Sequence, residues 1–293
     1  MIPDLKIHQP SDLAEVLALL DKHNSNIRII AGGTDIVPGL QQDSQRFKNF
    51  NALLDINKID DLKNVKVEND KLYLGASARF SDINSSEVIK KHFPLLAKAA
   101  GSVGSLQIRN LATIGGNFVN NAPCADSVPP LLVYNAVLKI KSLNSERRIT
   151  LEDFLVKSYK TQLEPNEIVT EIEIPILDED YSGDFYKLGR RRAVSISRIT
   201  FSLLLKIKES KIIDFRVASG AVTPIGKRIR NIEKYALGKN PEDKLFKELS
   251  RMLGEVILEE TGLRWSSPYK LPVVQQMFYQ LLIKLRPDVM ENK

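Results

Sequence analysis

Two glycine-rich segments, Ala31-Gly32-Gly33-Thr34-Asp35 and Thr113-Ile114-Gly115-Gly116-Asn117, decide how this sequence is interpreted. Each places a pair of glycines and a polar side chain directly after an apolar run. Paired glycines let the backbone reach positive φ and let its N–H groups approach a ligand closely. Successive N–H groups in such a turn form a concavity that binds anions. Two such segments, in a chain without a recognisable nucleophile or metal cluster, predict a ligand whose diphosphate is held between two loops.

Each segment alone has a simpler interpretation. The first could be a turn that ends a strand, because Gly-Gly is common at such positions. The second continues to Asp126 and offers hydroxyl, amide and carboxylate groups within fourteen residues. Its glycines and prolines predict an irregular loop rather than a regular element. The alternative for this stretch is an asparagine-rich surface turn.

Length and composition limit the classes of protein that the sequence can encode. The 293 residues, 43% of them apolar, predict one large domain or two of ordinary size. The net charge of +6 comes from dispersed Lys and Arg, which favours an anionic ligand or an acidic partner over nucleic acid. The single cysteine, Cys124, excludes an intramolecular disulfide and an all-cysteine iron–sulfur site.

Three further sequence features are also absent. No His-x-x-x-His pair is present, so we predict no histidine metal site. The first residues contain no apolar signal region, and no apolar run approaches the length of a membrane span. We therefore expect a cytoplasmic protein without a membrane span.

Hydrophobic periodicity predicts strands and helices along the whole chain. A helix is predicted to begin at Ser11, and a hairpin is predicted around Asn69-Asp70. Pro38 and Gly39 argue against a long helix after the first glycine pair, and G-x-G-x-x-G is absent, so the ordinary dinucleotide-binding fold is not expected. The other main predicted strands are 27–31, 52–56, 134–142, 168–175, 201–207 and 212–218, and the predicted long helices are 241–260 and 268–285.

A polar, turn-rich stretch at 178–184 predicts a domain boundary, and strands followed by helices beyond it predict an α+β unit. Trp265, between the last two predicted helices, is expected to be a packing anchor. One basic group could be a phosphate clamp, a partner-binding patch or a solvated strand and turn. Its members are Lys187, Arg190, Arg191, Arg192 and Arg198.

At the two glycine-rich segments, and at Lys187 with its neighbouring arginines, the chain resembles the FAD-binding subunit of the molybdenum hydroxylases. This family includes xanthine dehydrogenase and the carbon monoxide dehydrogenase medium subunit. The resemblance also takes in Pro123 to Asp126, Glu167-Ile168-Val169 and Trp265 to Lys270. It implies an α+β protein: a two-subdomain FAD-binding fold of the vanillyl-alcohol-oxidase/PCMH type over 1–177, with subdomains of about 1–57 and 58–177, and a C-terminal α+β domain over 184–290. Within the family, bacterial xanthine dehydrogenase is the most similar branch.

The resemblance also implies roles for individual residues. The first segment would run beneath the diphosphate of FAD, and the hydroxyl and amide side chains of the second would bind phosphate or ribityl oxygens. Asp126 would accept a hydrogen bond from the ribose or the adenine side, Val169 would pack near the flavin ring, and Lys187 would point at a flavin carbonyl. No catalytic or metal-binding residue is implied. The implied cofactor-binding residues are Ile30, Ala31, Gly32, Gly33, Thr34, Asp35, Ile36, Thr113, Gly115, Gly116, Asn117, Asn120, Asp126, Val169 and Lys187.

The family resemblance implies an electron-transfer function. A large molybdopterin subunit would oxidise the substrate, a small subunit with [2Fe-2S] clusters would relay the electrons, and FAD in this chain would pass them to NAD+ or another acceptor. Two alternatives stay open at this point. One is a stand-alone flavin oxidase, and the other is a non-catalytic assembly module with degenerate loops, which the intact Gly-Gly segments disfavour.

Overall fold

The computed structural model of the protein describes residues 4–191 and 194–286, and its first sheet is small and parallel. Three strands, β1 (Lys6–His8), β2 (Ile27–Ile30) and β3 (Ala52–Asp55), lie in the order β1-β3-β2. Helix α1 (Leu13–His23) connects the first two strands, and helix α2 (Ile36–Gln41) follows β2. The first glycine segment therefore lies at the carboxyl end of a strand in a parallel sheet.

Local capping explains where the first two helices begin. The predicted start at Ser11 is slightly early, because the Asp12 side chain accepts a hydrogen bond from the Glu15 N–H and caps a helix that begins at Leu13. The prediction against a long helix after β2 is confirmed, since α2, which contains Pro38 and Gly39, has only six residues.

A five-stranded antiparallel sheet follows, with the order β4-β5-β10-β6-β7, while β8 and β9 form a separate two-stranded ribbon. The strands are β4 (Val65–Glu68), β5 (Lys71–Gly75), β6 (Val137–Lys141), β7 (Glu146–Thr150), β8 (Leu155–Lys157), β9 (Lys160–Thr161) and β10 (Ile168–Pro175). The helices are α3 (Phe80–Ser85), α4 (Glu87–His92), α5 (Pro94–Ser102), α6 (Leu106–Arg109), α7 (Ile114–Asn120), α8 (Val128–Val133) and α9 (Leu151–Phe154).

Sequence signals located most of this sheet. The predicted hairpin is confirmed, with Asn69 and Asp70 both at positive φ between β4 and β5. The strand predicted from 134 begins instead at Val137, because Tyr134 ends α8, a buried helix that the sequence analysis did not predict. Apolar side chains of this sheet and of the helices beside it form the largest buried cluster.

The third sheet is antiparallel, and three helices pack against it. Its strands, in the order β11-β12-β13-β14, are β11 (Tyr181–Gly189), β12 (Ser197–Lys208), β13 (Lys211–Gly220) and β14 (Lys227–Arg228). The helices are α10 (Arg230–Ala236), α11 (Asp243–Thr261) and α12 (Ser267–Leu285). The two long helices thus begin and end close to their predicted bounds, and the predicted α+β class is confirmed. Within the described residues, no helix is long and apolar enough to cross a membrane.

A buried ion pair ties the third sheet to α8, the helix that precedes β6. The Arg228 guanidinium and the Glu233 carboxylate are both buried, with a bidentate contact that includes a 2.9 Å bond from Nη2 to Oε2. Arg228 Nη1 also donates to Asn135 Oδ1 at 2.8 Å and to the Leu132 carbonyl at 3.3 Å. This one side chain therefore links β14, α10 and the end of α8.

We expect Arg228→Met to destabilise the fold strongly. Removing one partner of a buried pair costs about 3–5 kcal/mol, and Glu233 would keep only its longer 3.4 Å contact with the exposed Arg230. The exposed Arg251–Glu255 pair on α11 is the matched control, and Arg251→Met should cost about 0.3–0.5 kcal/mol. Urea unfolding followed by circular dichroism measures both. Equal losses in the two variants would contradict the structural role of Arg228.

Candidate functional site

A cavity of about 550 Å³ lies between the first sheet and the second, and both glycine segments line it. Its size is in the usual range for a ligand pocket. The predicted residues that line it are Ile30, Ala31, Gly32, Gly33, Thr34, Asp35, Ile36, Thr113, Gly115, Gly116, Asn117, Asn120 and Val169. Among the predicted cofactor-binding residues, Asp126 and Lys187 are the two that do not line this cavity.

The first segment presents unpaired backbone donors to the cavity. Within the described part of the chain, the N–H groups of Gly32, Gly33, Thr34 and Asp35 have no hydrogen-bond acceptor. Gly33 has a φ of +69°, in the left-handed region that favours glycine, and this conformation turns the chain from β2 into α2. Four consecutive free N–H groups beside a glycine at positive φ are an anion-binding arrangement.

The second segment is built differently from the predicted irregular loop. Residues Ile114–Asn120 form helix α7, with Thr113 Oγ1 as its cap acceptor for the Gly116 N–H at 3.1 Å. The buried Ile114 and Phe118 side chains, four residues apart, explain why the helix forms despite its two glycines. The irregular-loop prediction for the start of this stretch is therefore wrong.

Of the five backbone N–H groups of the second segment, the four from Ile114 to Asn117 are already used within the protein. The N–H of Ile114 bonds to the Ala78 carbonyl, that of Gly115 to the Ala76 carbonyl, and that of Asn117 to the Thr113 carbonyl. The two segments are therefore not equivalent: the first offers N–H groups, and the second offers side chains. Asn117 keeps its amide N–H donors available, because its Oδ1 is the atom that accepts the 2.7 Å bond from Ser127 Oγ.

The glycines divide into two roles. A Cβ on Gly32 would lie 2.0 Å from the Leu111 carbonyl oxygen, and one on Gly115 would lie 2.6 Å from the Ala76 carbonyl oxygen. These two positions let protein segments pack against each other. A Cβ on Gly116 would meet only Thr113 Oγ1, at 3.0 Å, so Gly116 keeps open space in the cavity wall.

Two arginines at this cavity were missed by the sequence analysis. Arg28 lines the cavity, and Arg46 lies close by with its guanidinium 3.6 Å from the centre of the Tyr159 ring. Desolvation lowers the pKa of Arg28, and the nearby charge of Arg46 lowers it further. Among the described residues neither guanidinium has a carboxylate partner. Their separation in sequence from the glycine segments left no motif by which they could have been found.

Arg46 is held in place by side chains from two of the predicted site residues. It donates a hydrogen bond to Asn120 Oδ1, and Asn120 Nδ2 donates to Asp35 Oδ1 at 2.8 Å. This chain of bonds crosses from the turn after α2 to α7 and back to the first glycine segment. Contacts within the protein therefore fix the position of the Arg46 guanidinium beside the cavity.

The opposite wall combines apolar side chains with two polar features. Val169 is buried in this wall, at the position predicted for packing against a flavin ring. The buried Ser77 Oγ has no hydrogen-bond partner among the described residues, so it can bind a polar atom of a ligand. Burial would raise the pKa of Glu167, but bidentate hydrogen bonds from Arg147 at 2.7 and 2.8 Å lower it overall. Other lining residues not foreseen include Phe47, Tyr159, Lys160, Thr161 and Leu163.

Asp126 and Lys187 pair with each other. Lys187 Nζ donates to Asp126 Oδ2 at 2.6 Å and to the Ser102 carbonyl at 2.8 Å, and Ser197 Oγ donates to Asp126 Oδ1. Burial raises the pKa of Asp126, although Lys187 and Ser197 oppose that shift. Burial also raises the pKa of the nearby Cys124 thiol. The structure thus gives Asp126 and Lys187 protein partners, and their roles toward FAD stay predictions.

The other predicted groups lie outside the cavity. Arg190 and Arg191 follow β11 on the surface, and Arg192 lies outside the described residues. Trp265 is 91% exposed, so the prediction that it anchors packing is wrong. In the described part of the chain, no three His, Cys, Asp or Glu side chains are placed to hold a metal ion.

Comparison with known proteins identifies the cofactor of this chain. The family described as the FAD binding domain in molybdopterin dehydrogenase matches residues 3–177, and the CO dehydrogenase flavoprotein C-terminal domain matches residues 184–285. The free N–H groups, the unpaired Ser77 hydroxyl and the open face of Gly116 fit a dinucleotide such as FAD.

Individual relatives align over nearly the whole chain. The glyceraldehyde dehydrogenase medium chain of Sulfolobus acidocaldarius is 32% identical over 93% of this chain and 95% of its own length. The xanthine dehydrogenase FAD-binding subunit of Escherichia coli O157:H7 is 28% identical over 92% of each chain. The structure of carbon monoxide dehydrogenase from Hydrogenophaga pseudoflava matches with a TM-score of 0.90 at 25% identity, covering 97% of this chain and 98% of that one. This chain therefore belongs to the FAD-binding subunits of the molybdopterin dehydrogenases, and FAD is its cofactor.

Proposed function

We propose that this chain is the FAD-carrying electron-transfer subunit of a molybdenum hydroxylase. In this proposal a large molybdopterin subunit oxidises the substrate, and a small subunit with [2Fe-2S] clusters delivers the electrons. The electrons leave this chain for NAD+ or another acceptor. The four unpaired N–H groups of Gly32 to Asp35, in a cavity shared with α7, are the observation that carries the proposal.

The residues of the chain bind and orient the cofactor. Bound FAD supplies the redox chemistry. The N–H groups of Gly32 to Asp35 donate to the diphosphate, and Arg28 and Arg46 balance its charge. Thr113, Asn117 and Asn120 bind phosphate or ribityl oxygens from the α7 side, while Val169 supports the ring system from the apolar wall.

The two alternative functions have less support. A stand-alone oxidase needs a base beside the flavin, and no histidine lines the described cavity. Of the carboxylates that line it, Glu167 is paired with Arg147, Asp35 accepts a hydrogen bond from Asn120, and Glu164 is exposed to solvent. A non-catalytic module would have no reason to keep four free N–H groups in a formed cavity. Reduction of the purified flavoprotein by its partner subunits tests the proposal. Turnover by this chain alone, or a chain that cannot retain FAD, would contradict it.

We propose a xanthine-like heteroaromatic compound as the substrate of the complex. The similarity to the xanthine dehydrogenase subunit supports it, whereas the 32% identity to the glyceraldehyde dehydrogenase medium chain favours an aldehyde as the second candidate. Assaying the assembled complex with xanthine and with glyceraldehyde, and with NAD+ or an artificial dye as acceptor, separates these possibilities.

We expect Gly116→Val to weaken FAD binding while leaving the fold intact. Its side chain would occupy the open cavity wall, because the only atom near a Cβ at this position is Thr113 Oγ1. The loss in FAD affinity should be at least about tenfold, or about 1.4 kcal/mol, and Gly116→Ala should lose less. Flavin fluorescence titration measures affinity, and thermal unfolding checks the fold. A folded Gly116→Val chain with normal FAD affinity would disprove the assignment of this wall.

We also expect Arg46→Gln to weaken FAD binding by about tenfold, since hydrogen bonds to charged groups contribute about 1.5–3 kcal/mol. The loss should shrink as salt is added, and binding of riboflavin, which has no phosphate, should change little. Lys48→Gln is the control, because Lys48 lies two residues after Arg46 and is already paired with Asp43. A loss of the same size for riboflavin would show that Arg46 does not act on the diphosphate.

A further inference from the structure

The connection between α11 and α12, together with the first turn of α12, exposes large apolar side chains that the proposed cofactor site does not explain. Trp265 is 91% exposed, Leu263 is 83% exposed and Tyr269 is 73% exposed. A single exposed apolar residue is ordinary on a protein surface, but three within seven positions of one connection mark an interaction site. Trp265 is also the only tryptophan of the chain.

Three cations lie at the same place without anionic partners. Arg264 and Lys270 lie on either side of Trp265 in the sequence. Burial lowers the pKa of the half-buried Lys270, and the charges of Arg264 and Arg198 lower it further. Lys270 Nζ donates to the Ala221 carbonyl at 2.9 Å, and Arg264 Nε donates to the Thr261 carbonyl at 3.2 Å. Within the described ranges, none of the three forms a salt bridge. This part of the surface therefore has uncompensated positive charge.

The connection is ordered in a way that keeps its side chains pointing outward. Gly262, at a φ of +64°, ends α11 with its N–H bonded to the Leu258 carbonyl. The Arg264 N–H then donates to Ser267 Oγ at 2.9 Å, and the Ser267 N–H donates to the Arg264 carbonyl at 2.9 Å. These bonds hold the backbone on both sides of Trp265. A fixed backbone lowers the entropy lost when a partner binds.

We propose that Leu263, Trp265 and Tyr269, with Arg198, Arg264 and Lys270, form a docking surface for an acidic face of a partner subunit of the complex. We refer to these six residues as the Trp265 patch. The proposal rests on the proposed function, since it takes the partner from the same heteromeric enzyme. The partner face must offer an apolar pocket for Trp265 and carboxylates around that pocket.

Charge and residue type favour a partner subunit over a second copy of the chain or a nucleic acid. A second copy of the chain would bring a further net charge of +6 toward uncompensated cations. Trp, Tyr and Arg are the residues that dominate the binding energy of protein interfaces, with the apolar side chain at the centre and charges at the rim. A nucleic acid would use the cations but would leave Leu263 in water.

The single tryptophan allows a direct test in the full-length chain. The chain is labelled with 5-fluorotryptophan and titrated with its unlabelled partner subunits, so that the one ¹⁹F resonance reports on residue 265 alone. We expect the resonance to shift on complex formation and to lose its sensitivity to solvent D₂O. Trp265→Ala should weaken partner binding by at least about thirtyfold, as for a central hot-spot residue, and Arg264→Glu should weaken it further in low salt than in high salt.

Arg251→Glu is the control for the charge reversal, because Arg251 is exposed on α11 and already paired with Glu255. FAD content should be normal in all three variants. Complex formation without a change in the resonance, and at normal affinity for Trp265→Ala, would overturn the proposed surface while leaving the electron-transfer function in place. Self-association of the chain, or binding to DNA or anionic vesicles, that is lost in Trp265→Ala would overturn the choice of partner. Failure of FAD-loaded chain to bind any partner subunit would overturn the proposed function itself.

Discussion

Close contact between backbone segments at Gly32 and Gly115 is the constraint on which the rest of the site depends. At Gly32 the first glycine segment touches the carbonyl of Leu111, just before the second segment begins, and at Gly115 the second segment touches the end of β5. No side chain larger than hydrogen fits at either contact. This packing joins the parallel sheet to the antiparallel one and sets the width of the cavity between them. The next glycine of each pair, Gly33 or Gly116, lines the cavity and has only side-chain atoms near the position of a Cβ.

These glycine pairs predicted the cavity wall from the sequence, but their separate roles could not be predicted from it. Which member of a glycine pair packs against protein and which faces the ligand depends on residues distant in sequence, here Leu111 and Ala76. The helical state of α7 was missed for a related reason. Its two glycines weaken local helix propensity, and burial of Ile114 and Phe118 by the rest of the fold outweighs that preference.

Strands and helices with strong periodicity were predicted well, as α11, α12 and β10 illustrate. Elements that depend on tertiary contacts were not. The strand β11 contains Gly183, Asp184 and Gly189, and Asp184 is compensated there by Lys98 and Lys284 from two different helices. The prediction that Trp265 is buried was wrong for the opposite reason, because an aromatic residue between two helices is usually buried. Only the structure shows that its connection points away from the core.

The net positive charge of the chain is explained by the places at which its cations lack carboxylate partners. Many are matched to carboxylates, as in the Arg147–Glu167 and Lys187–Asp126 pairs. At the cavity, Arg28 and Arg46 combine with free backbone N–H groups, an arrangement suited to a compact diphosphate. At the Trp265 patch, the cations surround exposed apolar side chains, an arrangement suited to an extended protein surface. Since a small anion is bound mainly by charge and hydrogen bonds, whereas an interface also buries apolar area, salt should weaken the first contact more completely than the second.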